Sequence, residues 1–341
     1  MKLISPISSQ LKAVFDEHIY NRTILALGKE AQAIYSNLRA GVTSCGGLAC
    51  IVIELLSRLG LTDILLCEFD HVEKSNLNRL LGAHFYDGIL KTPKALVAAR
   101  NAFSINPNIN LEIVQGDFLE KKNQEKFKSV DILFECSDSP ALSFAADRLC
   151  LACGIPHFNL KSGAVVENGK LKSVGGQVIL IRPDRGFCLQ CGNFFDIKEA
   201  RAEFMDPEEA KRQREMGYVK GETVPQPAVY ALNMMVASWA VWMMMLYVLD
   251  QDLDFDGISV DALSFQSRVW SEERREGCDV CGKDGALFRG DEVQLLTRES
   301  YNSLHFPENL DRSSYKKEGT ENKGDTKPTE EQPGCVLTKK I

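Results

Sequence analysis

No excess of positive charge marks this chain: 40 lysines and arginines stand against 47 aspartates and glutamates, a net charge of −7. Without a global basic field, nucleic acid is not expected as the main partner. Met1–Pro6 lacks a charged segment leading into a long apolar run, so no secretory signal is expected. No internal repeat is visible. Cysteine, by contrast, is plentiful, at 11 of 341 residues. In a chain read as having no signal, these are thiols and metal ligands rather than a disulfide framework, and the cytoplasm is the expected compartment. One run is long enough to cross a membrane, Ala228–Leu249, interrupted only by Asn233 and Ser238. Its five methionines and two tryptophans suit a fully buried core or dimer-interface helix, so no membrane is expected.

What is present is an alternation of strand and helix patterns. Ser8–Asn37 carries helical periodicity, 38–43 reads as a strand, 48–59 as a helix stopped by Gly60, and 61–69 as a near-continuous apolar strand. Continuous apolar strands are buried on both faces, as in a parallel sheet. A helix opened by Thr92-Pro93 runs to about Ser104, and strands follow at 110–114 and 130–136. The pattern predicts an α/β fold, a Rossmann-like doubly wound sheet, parallel in its N-terminal half. After about Ile155 the glycines and the strand 177–181 predict hairpins, an antiparallel extension of that sheet. Residues 196–221 are charged, helical or loop-like, without a clear apolar face. The expected organisation is one domain over 1–305, with a nucleotide-binding half at 18–160. Its remainder, 161–285, holds the extension, a crossover segment, the apolar helix and cysteine knuckles. A charged, disordered tail is expected at 306–341.

The turn Ser44-Cys45-Gly46-Gly47 sits between strand and helix, and Glu68 ends the next strand some twenty residues on. In that setting backbone N–H groups at the helix start cradle phosphate, Gly46 and Gly47 admit the ligand closely, and Glu68 accepts from ribose hydroxyls. Asn76, Arg79, Lys94 and Asp138 follow strand ends or open helices. Two of them are cations that offset charge on a reacting phosphate, and an aspartate can hold Mg²⁺. Cys188 and Cys191, with Cys278 and Cys281, form two C-x-x-C pairs whose four thiolates suit a closed, structural Zn²⁺ site. The remaining cysteines beside predicted core elements read as small apolar fillers, and Cys335 lies in the tail.

Taken together these segments resemble the ThiF/MoeB/HesA adenylyltransferases, which share the adenylation domain of ubiquitin-activating enzymes. The likeness spans about 18–285. It rests on Tyr20-Asn21-Arg22 with Gly28 to Gln32, on Ser44 to Cys50, on Glu68-Phe69-Asp70, and on Ser75-Asn76-Leu77-Asn78-Arg79. Lys91 to Lys94, Asn106-Pro107, Cys136-Ser137-Asp138 and the paired C-x-x-C complete it. The resemblance implies ATP·Mg²⁺-dependent adenylation of the C-terminal glycine of a small β-grasp protein, either a ubiquitin-like modifier or a sulfur carrier. It implies that Glu68 takes the ribose, that Asn76, Arg79 and Lys94 take the phosphates, and that Asp138 takes Mg²⁺. It further implies that Arg22 reaches in trans into the partner subunit's site, hence a homodimer.

Departures narrow these expectations. Ser44 and Ala49 replace loop glycines, and Glu68 replaces an aspartate. Family members that carry a thioester or persulfide place a cysteine before the proline ahead of the apolar helix. Here 217–227 holds none, nor does any position from 192 to 277, so adenylation without a thioester at the usual position is expected. Competing readings are adenylation of a peptide or a tRNA, a nicotinamide-dependent oxidoreductase, and a catalytically degenerate subunit that binds a carrier.

Overall fold

The computed structural model describes residues 15–301, apart from 186, 206, 216–226, 252 and 276. The expectations for the 306–341 tail with Cys335, and for all of 217–227 but Pro227, lie outside the described residues.

Of the N-terminal stretch 8–37, residues 8–14 lie outside the described residues, 15–20 form turns, and the rest holds two short helices, α1 (Asn21–Leu27) and α2 (Lys29–Asn37). The break is Gly28, whose φ of 93° no helix tolerates. Strand β1 (Arg39–Val42), helix α3 (Gly47–Leu59) and strand β2 (Asp63–Cys67) follow. Gly60 ends α3 in the left-handed conformation, φ 91°, as the sequence predicts. Next come α4 (Phe85–Leu90), α5 (Lys94–Ile105), β3 (Asn110–Val114), α6 (Lys121–Phe127), β4 (Ile132–Glu135) and α7 (Pro140–Cys153). Pro93 stands just outside α5, as its N-cap.

The four strands are parallel in the order β3-β2-β1-β4. Strand β5 (His157–Glu167) adds to β4 in parallel. Antiparallel pairing then takes over, with β6 (Lys170–Ile181), β7 (Gly257–Asp261) and β8 (Gln266–Trp270) extending one sheet of eight described strands. The Rossmann-like sheet with an antiparallel extension is therefore present. The reason lies in burial: Ile64, Leu65 and Leu66 of β2 and Ile132, Leu133 and Phe134 of β4 are closed to solvent on both faces.

Between β6 and β7 lie α8 (Ile197–Phe204), α9 (Pro207–Glu215) and α10 (Tyr230–Val248). The charged segment does have an apolar face after all, since α8 buries Ala200, Ala202 and Phe204. Alanines are small enough to hide such a face among charges. Helix α10 corrects the expectation of full burial. By length and composition it could cross a membrane, and half of it is buried inside the fold. Val236, Ala237, Ala240, Met243 and Met244 pack into the main core, which also takes in α3, β5 and β6. Gly176 lets it lie flush on the sheet: a Cβ there would stand 2.4 Å from Val236 Cγ2. The opposite face exposes Met234, Met235, Trp239 and Trp242.

Candidate active site

In the order β3-β2-β1-β4 the chain leaves β1 and β4 toward opposite faces, which opens a crevice beyond the strand ends. A cavity of about 490 Å³ lies there. Its walls are the turns after β1 (Thr43–Leu48), β2 (Cys67–Asp70), β3 (Gly116–Leu119) and β4 (Cys136–Ser139), with Leu160–Ser162 of β5 and Asn233 of α10 closing it.

The first turn is shaped for an anion. Among the described residues no side chain caps α3 at its start, and its first N–H groups have no partner there, at the positive end of a 13-residue helix. A Cβ on Gly46 would meet nothing within 4 Å, whereas one on Gly47 would lie 3.0 Å from Arg79 O and from Asn233 Nδ2. Gly46 thus leaves room for a ligand, and Gly47 lets the Arg79 loop and α10 close in. The Thr43 and Ser44 hydroxyls beside them are buried without a hydrogen-bond partner among the described residues. Helix α7 differs. Its start is satisfied by Ser139 Oγ, which accepts from Leu142 N at 3.1 Å, and by Glu203, which accepts from Ala141 N at 3.2 Å.

Glu68 is buried rather than an exposed strand-end acid, at 7% exposure. Its carboxylate accepts three main-chain hydrogen bonds, from Cys45 N at 2.8 Å, Phe69 N at 2.8 Å and Asp70 N at 2.9 Å. It therefore ties the end of β2 to the turn before α3 and keeps about one lone-pair site for a ligand. Lys94 pairs with Asp70, Nζ to Oδ2 at 2.8 Å. Arg79 donates from Nη1 to Ser75 O at 2.6 Å and to Asn78 Oδ1 at 3.1 Å. Asp138 is exposed on the loop after β4 and lines the cavity.

Gly46, Gly47, Glu68, Arg79, Lys94 and Asp138 thus meet on one cavity. Asn76 does not line it. It belongs to an adjoining cavity that shares Asp70 and Lys94, and its Oδ1 accepts from Glu73 N at 3.0 Å. Arg22 lies exposed on α1 and lines neither cavity.

Several groups escaped the sequence reading. Buried Glu135 accepts from Ser137 N at 2.7 Å and Ser143 Oγ at 2.8 Å, and also from Asn159 and Lys161. This network fixes the loop that carries Asp138. Arg298 reaches the same cavity from the far end of the described chain. Neither has a local signal, because the partners are 26 and 181 residues apart.

The fillers behave as thiols. Burial pushes Cys50 and Cys67 up to about 12, and Cys45 and Cys136 well above the ordinary thiol range. Protonated thiols of that kind are poor nucleophiles.

Cys188, Cys191, Cys278 and Cys281 converge, with all four sulfurs within 4.8 Å of one another. Adjacent pairs stand 3.4–3.6 Å apart. A tetrahedral zinc with Zn–S near 2.3 Å separates its sulfurs by about 3.8 Å, so the residues fit that ion. The four thiols do not shift together: burial holds Cys188 well above the ordinary thiol range, while hydrogen bonding from Cys188 draws Cys191 and Cys278 below it.

The chain is 30% identical over 194 residues to the ubiquitin-like modifier-activating enzyme 5 of Dictyostelium discoideum, covering 52% of this chain and 48% of that protein. It is 31% identical over 153 residues to the molybdopterin-synthase adenylyltransferase of Haemophilus influenzae, covering 44% and 61%. It therefore spans about half to three fifths of the length of these relatives. In fold it is similar to E. coli MccB solved with ATP, with a TM-score of 0.60 at 18% identity over 80% of this chain and 76% of that one. Residues 20–280, from the helix that carries Arg22 to the second cysteine pair, match the ThiF family, and the chain belongs to that family.

Proposed function

We propose that the chain joins AMP to the C-terminal carboxylate of a small ubiquitin-like or sulfur-carrier protein, consuming ATP and releasing pyrophosphate. The observation that carries the reading is one cavity lined by an uncapped helix start, Glu68, Arg79, Lys94 and Asp138, in a chain of the ThiF family. The kind of carrier is suggested by relatives named for modifier activation and for molybdopterin synthase.

The chemistry asks little of a general base. A terminal carboxyl with pKa near about 3.5 is already ionised at neutral pH. Its oxygen attacks the α-phosphorus, a new P–O bond forms, and the bond to the pyrophosphate oxygen breaks. Charge gathers on the α-phosphate oxygens and on the leaving group, and Arg79 and Lys94 offset it. The start of α3 holds the phosphate, and the free lone pair of Glu68 accepts from the ribose. Asn76, beside Lys94 in the adjoining cavity, takes the outer phosphates. Asp138 would hold Mg²⁺, since a single carboxylate completed by phosphate oxygens and water suits that ion. Bound there, Mg²⁺ supplies further screening of phosphate charge. The four cysteines would hold Zn²⁺ as a structural clip between two distant loops. Arg22 acts from a second copy, and the exposed Met234, Met235, Trp239 and Trp242 face of α10 joins the two.

The test is ATP–pyrophosphate exchange with purified protein and a β-grasp partner ending in glycine. Exchange that depends on the partner and is lost in Lys94→Ala and Asp138→Ala is the expected result. ATP binding without exchange toward any β-grasp protein would overturn it in favour of a degenerate carrier-binding subunit. Exchange driven by a short peptide would move the substrate to that class. Because 192–277 lacks cysteine, no thioester to the carrier should form at the usual position ahead of α10.

A further inference from the structure

Residues 285–301 return from the cysteine cluster across α7 and α6 to the cavity. Phe288 N donates to Leu151 O at 2.9 Å, Gln124 Nε2 to Leu296 O at 2.7 Å, and Lys128 Nζ to Asp291 Oδ1 at 2.6 Å. Val293, Leu295, Leu296 and Thr297 are buried. This strap lies beyond residues 20–280 that match the family. It ends by carrying Arg298 to the cavity wall beside the 116–119 turn.

The guanidinium of Arg298 is held along its edge. Nε and Nη2 lie 2.9 and 2.8 Å from Asp117 Oδ2, and Nη1 donates to Glu203 O at 2.5 Å. Asp117 is itself fixed, its Oδ1 accepting from Leu119 N at 2.9 Å. Three of the five N–H groups are therefore committed in the plane, and the charge already has a carboxylate beside it. Such a group is a poor phosphate ligand. What it still offers the cavity is a flat, oriented face, and guanidinium planes stack on aromatic rings.

Position says which ring. The start of α3 follows β1, Glu68 ends β2, and the 116–119 turn follows β3, so phosphate, ribose and base sites fall in the spatial order of the strands. The base end is where Arg298 stands.

We propose that Arg298 stacks on the purine base of the bound nucleotide, which makes the strap part of the nucleotide site. The proposal rests on the nucleotide reading above. It makes Arg298 a binding residue that is indifferent to the phosphates.

Calorimetric titration of ATP and of inorganic tripolyphosphate, each with Mg²⁺, into the full chain, Arg298→Ala and Arg298→Lys separates the possibilities. ATP is expected to bind about tenfold more weakly to both variants, because lysine keeps the charge and lacks the plane. Tripolyphosphate, which has no base, should bind all three alike. Unchanged ATP affinity in either variant overturns the proposal. So does parallel loss of ATP and tripolyphosphate, which would mark a charge effect or a collapsed strap. Should the alanine variant fail to fold, the lysine variant carries the comparison by itself. A wild-type chain that binds tripolyphosphate and ATP equally well retains a phosphate site and overturns base stacking alone. One that binds neither overturns the nucleotide reading itself.

Discussion

Glu68→Gln separates two jobs that one carboxylate performs. The side chain is buried and accepts from Cys45, Phe69 and Asp70 N–H groups at 2.8–2.9 Å. Glutamine keeps the shape but has one acceptor oxygen. If that oxygen serves Phe69 and Asp70, the amide NH₂ faces the Cys45 N–H, donor against donor. The change removes a charge-assisted bond and strands a buried N–H, together about 3 kcal/mol. At roughly 2.1 cal/mol/K per residue over a domain of roughly 300 residues, about 1 kcal/mol moves the melting temperature by roughly 1.6 °C, so a fall of roughly 5 °C is expected by calorimetry of the nucleotide-free protein. A residue that only gripped ribose would leave the nucleotide-free protein untouched and weaken ATP alone. A fall smaller than about 2 °C without nucleotide would refute the clamp on the same scale.

Other outcomes follow from the same structure. Cys281→Ser should abolish zinc binding, measured by metal analysis, and cost several kcal/mol of stability, because an ion held by the four sulfurs would clip two distant loops together; a metal-free wild type of equal stability would contradict this. Lys161→Met leaves buried Glu135 short of its cation, Nζ to Oε2 at 3.3 Å. A loss of about 3 kcal/mol is expected in urea unfolding, partly restored by adding Glu135→Gln, and an unaltered midpoint would exclude the pair. The Arg100 hydrogen bonds hold the Asp87 carboxyl well below the usual carboxylate range. Its contribution is therefore present above the unfolded value near about 4 and lost as pH falls through the lower native one. Asp87→Asn should flatten that acid limb, and an unchanged limb in urea titrations would count against it. Trp239→Asp, on the exposed face of α10, should turn a dimer into monomers in sedimentation; a monomeric wild type would end that reading.

Much of the fold was legible because its signals are local. The run Asn110–Val114 is strand β3 without adjustment, and Gly60 stops α3 where a left-handed residue is needed. The cavity was legible in part, since Gly46, Glu68, Lys94 and Asp138 sit at the ends of elements that periodicity identifies. What escaped was long-range. Nothing near Asp117 announces Arg298, and nothing near Glu135 announces Lys161, because those pairings exist only once the sheet has formed.

Helix α10 sets a limit on how this protein can be re-engineered. Its Asn233 accepts from Ser162 Oγ at 2.7 Å, while the amide of the same side chain crowds the Gly47 position. The antiparallel half and the turn before α3 therefore share one buried residue. A graft of β5–β8 from a relative brings its own α10 between β6 and β7, so whatever stands at position 233 must still fit against Gly47 and the Arg79 loop of the resident half. The two halves are not interchangeable parts, and the seam between them runs through Asn233.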